Sequence, residues 1–502
     1  MAESTLLTIQ SLVFSSNQDP DNIAVESPGS APLTYRDLRK QVLYVVTALN
    51  SQQFQRNDRI ALIVPPGPEM AVMMVAVMAG FSCVPLNPHD TKPDYERNFS
   101  RIGVKALVVQ TGTGTAAIAA AEVCNLPVIT LIPTHGKAGK FVLDPAVLQG
   151  NPAPEFASPS DISHVLLTSG TTALPKIVPI SQKQSVMTRY RQVKALHLTA
   201  DDRCLQMLPY FHGMGFGIPV LAILLAGGTA ICPRDFIPSD FNSLLTLCRP
   251  TFFIAGPAHH HAILHAMRKV PPPSERETSL RLILSSAAVM PDTIRREMES
   301  VLKVPVIEQY ASTETGVISI NLPPKKGSVG IPVIDHLLIL NRNGIPAGPL
   351  EQGEVLVQGE TVFSGYEDAP EENAAAFTDG WFKTGDLGYL DNDGYLYLTG
   401  RKKELINKGG EKIAPEEIDT LLRSHPGVME AMTFLIEDPV LGEDIAAMVV
   451  RKQENLTEHE IRRFLLNHVT PSKIPCKIYF VAEIPKTATG KPVRIEGTRR
   501  YS

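Results

Sequence analysis

The chain has no C-x-x-C pair among its six cysteines, at 83, 124, 204, 232, 248 and 476. That absence excludes the common zinc-site spacings and a disulfide framework, and suits scattered thiols in a reducing compartment. A sustained basic run is also missing: 47 Lys+Arg against 52 Asp+Glu leave a formal charge of −5. The electrostatic footprint of a nucleic-acid or anionic-membrane binder is therefore absent, and small-molecule chemistry is favoured. No apolar stretch reaches membrane length. The most apolar, Met70–Phe81, is about a dozen residues where a span needs roughly 20, so it reads as a buried helix. Met1-Ala2-Glu3-Ser4 lacks the charged and apolar regions of a secretory leader, and Arg500-Tyr501-Ser502 is not the peroxisomal address; a cytoplasmic protein is expected.

What is present begins with length. At 502 residues the chain exceeds what one hydrophobic core serves, so two or more domains are expected. From residue 59 short aliphatic runs (Arg59–Val64, Lys105–Val109, Pro127–Ile132) alternate with helical stretches (Met70–Phe81, Thr115–Cys124). This alternation predicts an α/β fold with a large N-terminal domain of mainly parallel sheets layered with helices, over residues 1–400. After a short strand, Tyr395–Leu398, elements become brief and mixed, which predicts a small α+β domain over 401–502. Within it Thr457-x-x-Glu460 is a capping box opening a helix with the apolar stripe Ile461, Phe464, Leu465 and Val469. Pro271-Pro272-Pro273-Ser274 marks a surface loop.

The sharpest local signal is Leu166-Leu167-Thr168-Ser169-Gly170-Thr171-Thr172-Ala173-Leu174-Pro175-Lys176, a hydroxyl-rich loop with a lysine directly after an aliphatic strand. Hydroxyls, free backbone N–H groups and one ammonium give a polyphosphate donors and positive charge without bulk. The Walker pattern is absent, and a Ser/Thr/Gly loop can equally be an ordinary turn. Thr111-Gly112-Thr113-Gly114-Thr115-Ala116-Ala117 resembles half a dinucleotide fingerprint but reads better as a βα turn. His259, His260, His261 and His265 crowd together without the intervening acid of H-E-x-x-H, so packed or solvated histidines are favoured over a metal site. There is no G-x-S-x-G elbow and no carboxylate dyad.

Eight segments, in order, resemble the adenylate-forming superfamily of acyl- and aryl-CoA synthetases, firefly-type luciferases and peptide-synthetase adenylation domains: the loop Thr168–Lys176, Leu208-Pro209-Tyr210-Phe211-His212, Glu308–Glu314, Gly353-Glu354-Val355, Trp381–Asp386, Gly400–Lys403, Lys408–Ile413 and Pro485–Lys491. The run from Asp379 through Pro415 looks most like the coumarate-CoA and oxalyl-CoA ligase branch.

The resemblance implies activation of a small carboxylic acid by ATP to an acyl-adenylate, then transfer to a thiol. Thr168, Ser169, Gly170, Thr171, Thr172 and Lys176 would hold ATP phosphates, with Thr313 on the phosphate side and Glu314 ligating Mg²⁺. Ala287, Gln309, Tyr310 and Ala311 would border the nucleotide, with Tyr310 against adenine, and Asp386 and Arg401 would hold the ribose. Lys491 would reach from a mobile small domain to the carboxylate and α-phosphate, where two anions meet. His212 would border the carboxylate, and Lys403 would be the hinge through which Gly409 and Gly410 come to line a thiol tunnel. Phe216, Phe253, Ser286, Ala288 and Val317 are expected to line the acid pocket, together suggesting a neutral, largely apolar acid.

The chain departs from the pattern at Ala173 and Ile177, where glycine is usual, and at Ala311 in the tyrosine motif. No aspartate follows Phe211-His212-Gly213-Met214-Gly215-Phe216, which argues against an α-amino acid substrate. Coenzyme A is the leading acceptor and a carrier protein's phosphopantetheine the alternative. Outside that pair stand a luciferase-type oxygenase, a non-catalytic nucleotide binder, and a dehydrogenase resting on Gly112 and Gly114 alone.

Overall fold

The structure, a computed structural model, describes residues 7–15, 18–134, 136–144, 153–168, 175–270, 278–409, 411–487 and 491–501. Two sheets hold the predicted βα alternation. In one of seven strands, Val128–Pro133, Val104–Gln110, Arg59–Ile63, Ser82–Pro85 and Ile162–Leu167 run parallel, with an antiparallel strand at each edge. In the other, of nine strands, a parallel centre runs through Val306–Ser312, Leu282–Ser285, Phe252–Ala255, Arg203–Leu205 and Thr229–Ile231. These strands are nearly continuous aliphatic runs because helices cover both faces of a parallel sheet. The apolar stretch near residue 70 is the helix Pro68–Gly80, buried at all 13 positions, opening with proline after Gly67. Among the described residues no helix is long and apolar enough to cross a membrane.

The Thr111–Ala117 segment is a βα turn between Val104–Gln110 and the helix Thr115–Val123, with Gly112 and Gly114 at φ of 78° and 72°. All six cysteines are free thiols. The triple-proline loop lies outside the described residues.

Two further sheets are mainly antiparallel. The first, His336–Leu340, Gly353–Gln358, Phe377–Thr378, Trp381–Leu390 and Leu396–Arg401, falls within the region that reads from sequence as mainly α/β. Its last strand does not stop at Leu398: the ladder to Trp381–Leu390 continues to the pair Asp386 and Arg401. The second, after residue 405, joins Ile406–Lys408, Glu411–Ile413, Val428–Asp438 and Gly442–Arg451, with Lys477–Phe480 added parallel. The helix Glu458–Leu466 carries the expected capping box, Thr457 accepting from the Glu460 N–H at 3.3 Å and Glu460 from the Thr457 N–H at 2.8 Å. Ile461 and Leu465 are buried, with Phe464 and Val469 packed beside them. Arg494 ties the C-terminal helix Arg494–Tyr501 down through ion pairs to Glu404, Glu416 and buried Asp419 at 2.8, 2.8 and 2.6 Å.

Candidate active site

Two adjoining cavities, of about 290 and 170 Å³, share Ala287, Gln309, Ala311 and Lys491 in their walls. The larger lies along the antiparallel sheet edge. There the cross-strand register sets Arg401 opposite Asp386, and its Nε is 3.0 Å from Asp386 Oδ1. The Tyr310 hydroxyl, from the end of the nine-stranded sheet, donates to Asp386 Oδ2 at 2.5 Å. Burial, then the Asp386 charge, pushes the Tyr310 phenol up, so it stays a donor. A buried carboxylate flanked by a guanidinium and a phenol is a ready acceptor for a vicinal diol.

Sharp turns after two parallel strands bring the next residues in. Ala287, at φ 76°, and Ala288 follow Leu282–Ser285, and Ser286 fixes the neighbouring strand by donating to the Gln309 carbonyl at 3.1 Å. Thr313 and Glu314 occupy the turn between Val306–Ser312 and Gly316–Ile320. Glu314 Oε1 accepts from the Tyr366 hydroxyl at 2.9 Å, and the Lys176 ammonium sits 4.3 Å from the centre of that same ring. Thr168 and Lys176 clasp the neck of the hydroxyl-rich loop by two reciprocal 3.0 Å bonds. Ser169, Gly170, Thr171 and Thr172 lie outside the described residues, as does Gly410.

Lys491 comes from the far end of the chain, its backbone locked against Thr487 by bonds of 2.8 and 3.1 Å. Burial and the Arg401 charge pull its ammonium pKa down, while Asp386, Glu314 and Glu404 support the charge. His212 faces the smaller cavity with Nε2 buried and unpaired. Burial, then the Lys491 charge, lowers it to about 4, so near neutral pH the imidazole is uncharged.

Phe216, Ser286 and Val317 also line the smaller cavity, and Ala288 the larger. Phe253 does not line either. Side chains alternate along Phe252–Ala255: Ile254 reaches the smaller cavity, while Phe253 is fully buried against Phe241 and His260, with ring centroids 5.1 and 5.8 Å away. Lys403 is exposed in the single turn Lys402–Glu404 on the rim of the larger cavity, and Gly409 lines neither. Of the four histidines on Pro257–Lys269, His260 is buried and His261 borders the larger cavity; no metal-holding cluster of three His, Cys, Asp or Glu exists among the described residues.

Polar and charged residues on the helix Gln182–Ala195 join the apolar lining from which a neutral, largely apolar acid was expected. Ser185, Thr188, Arg189 and Gln192 form part of the wall, beside His164. Their signal was present in sequence: Gln182, Ser185, Arg189 and Gln192 recur at the spacing where a packed helix usually carries its apolar stripe. Glu308, on the larger cavity, was likewise missed; burial raises its carboxyl to about 7.

Residues 14–367 match the family described as AMP-binding enzyme, and residues 417–491 its C-terminal domain. The chain is 36% identical over 486 residues to a probable CoA ligase of Humulus lupulus, covering 94% of this chain and 92% of that protein. It is 34% identical to the oxalate–CoA ligase of Arabidopsis thaliana, covering 94% of each. Among solved structures, ATP-bound MatB from Rhodopseudomonas palustris superposes with a TM-score of 0.89 at 26% identity over 99% of both chains, and its apo form with 0.81.

Proposed function

Because this chain belongs to the AMP-binding enzyme family and is an acid–thiol ligase that works through an acyl-adenylate, we propose how the residues around its two cavities divide the work, with coenzyme A as the thiol. The observation that carries this reading is Lys491, held where the two cavities meet, opposite a neutral histidine and beside the Asp386–Arg401 pair.

In the first half-reaction a carboxylate oxygen of the acid, in the smaller cavity, attacks the α-phosphorus of ATP. The bond from that phosphorus to the β-phosphate oxygen breaks, and pyrophosphate leaves. Ribose hydroxyls donate to Asp386, with Arg401 adding a donor on the same edge, and Tyr310 supports the base. Thr168 and Lys176, with the loop between them, hold the polyphosphate. Two anions must approach each other, so a cation at their meeting point lowers the transition state more than either ground state. Neutral His212 can take or give a hydrogen bond there without adding charge.

Glu314 suits Mg²⁺, since this ion with a nucleotide uses one or two carboxylates and otherwise phosphate oxygens and water; one carboxylate, oriented by Tyr366, stands beside Lys176. When bound, the ion offsets phosphate charge. In the second half-reaction a thiolate attacks the acyl carbon and the acyl–oxygen bond to AMP breaks. The CoA ligases among the relatives favour coenzyme A as that thiol.

Pyrophosphate exchange with Lys491→Ala tests the assignment. Exchange is expected to fall on the order of 10²- to 10³-fold, with thermal midpoint and ATP binding unchanged; wild-type exchange would refute the role. Mass spectrometry with coenzyme A or a phosphopantetheinylated carrier offered separately is expected to find the acyl-CoA, and product only on the carrier would reverse the choice of acceptor.

A further inference from the structure

Arg189 is a cation set into the wall of the smaller cavity. No carboxylate pairs with it among the described residues, and the bond it makes is a long one, from Nε to the Ser185 carbonyl at 3.4 Å. Burial alone, without a counter-charge, pulls its guanidinium down to about 10, which still leaves it charged at neutral pH. The fold makes room for it: a Cβ on Gly217 would lie 1.9 Å from Arg189 Nη1. Its neighbour His164, lowered to about 3 by burial and then by the Arg189 charge, is neutral and offers no compensation.

The same cavity gathers unsatisfied polar atoms. Ser185 Oγ, Gln192 Oε1 and His212 Nε2 are buried without a hydrogen-bond partner among the described residues. A half-buried guanidinium beside orphaned polar atoms is costly without partners, and is retained where a bound group supplies them. Lys491 and His212 already attend the reacting carboxylate, so the partner of Arg189 is a different group on the same acid.

We propose that Arg189 is a specificity-determining residue that pairs with a second anionic group on the substrate, so that the acid activated is a short dianion, a dicarboxylate or a sulfonated carboxylate. This rests on the ligase reading above. The guanidinium fork accepts either anion through two N–H donors, and a monoanionic acid leaves it unpaired.

Pyrophosphate exchange with matched pairs tests this on the wild-type enzyme: short dicarboxylates and sulfocarboxylates, each against the monocarboxylate carrying a methyl group instead of the second anion. The dianion is expected to win on the order of 10²-fold in kcat/KM, and the two dianion series reveal which anion fits. Arg189→Met should remove that preference mainly through KM for the acid, with KM for ATP unchanged, and Arg189→Lys should restore part of it. Preference for monoanions, or equal loss with both acids in Arg189→Met, overturns the assignment of Arg189 alone. Absence of exchange with every acid overturns the ligase reading as well.

Discussion

Single residues here are tuned by what surrounds them, and two of them give direct tests. Glu308 lies beside the larger cavity with its carboxyl raised to about 7 by burial, although Oε1 accepts from the Met290 N–H at 3.2 Å. Its folded pKa is above the unfolded one, so its contribution to stability is full below the ordinary carboxylate range and is lost as pH rises through 7, by at most on the order of 3 kcal/mol. Glu308→Gln keeps the acceptor and removes the titration. It should match the wild type in urea denaturation at pH 4 and exceed it at pH 8; parallel pH curves would show that Glu308 is not the source. Asp386 carries the opposite burden, as the acceptor to which Tyr310 and Arg401 both point. Asp386→Asn should raise KM for ATP by roughly 10- to 100-fold, a charged hydrogen bond's worth, and leave the acid preference intact. Unchanged KM in initial-rate assays would detach it from the nucleotide.

At the scale of elements, the legible parts were the turns that end strands, because phosphate, ribose and carboxylate chemistry dictates residue type there. Glu314 and Asp386, the latter inside the strand Trp381–Leu390, are reached only through the family resemblance, but Thr168 and Lys176 could be singled out that way. Arg189 could not, since a polar stripe on Gln182–Ala195 looks like a solvated face until the helix is seen packed with that stripe inward. Phe253 failed for the converse reason: nearness to a motif says nothing about which face of a strand a side chain takes. The antiparallel sheet around residues 336–401 escaped because its strands, such as Trp381–Leu390, mix half-buried and buried positions irregularly and carry register shifts. One element bears on specificity directly. Gly217 begins a π-helical segment, Gly217–Ala222, beneath Arg189, and such segments often mark functional sites. Gly217→Ala must displace the guanidinium. It should raise KM for a dianionic acid at least about tenfold without changing KM for ATP, and equal affinity for the acid would show that the guanidinium relocates freely.

For the whole molecule, the proposed division of residues places different demands on the region after residue 400 in the two half-reactions. In the proposed reading adenylation uses Lys491, which lines both cavities, while Gly409, proposed to let a thiol arm pass, lines neither. The arrangement is accordingly closer to the ATP-bound than to the apo form of the solved relative. We propose that the C-terminal sheet turns as a body to bring Gly409 in place of Lys491, and that the short exposed turn Lys402–Glu404, between Leu396–Arg401 and Ile406–Lys408, absorbs the change. Lys403→Pro fixes φ near about −65°, which a 3₁₀ turn tolerates and a rotating hinge does not. Pyrophosphate exchange should therefore stay within about threefold of the wild type, while single-turnover transfer from preformed acyl-adenylate to coenzyme A falls on the order of 10²-fold, the scale of a gated conformational step. Loss of both activities together would mean that the turn only supports the fold, and full retention of both would move the hinge elsewhere in the chain.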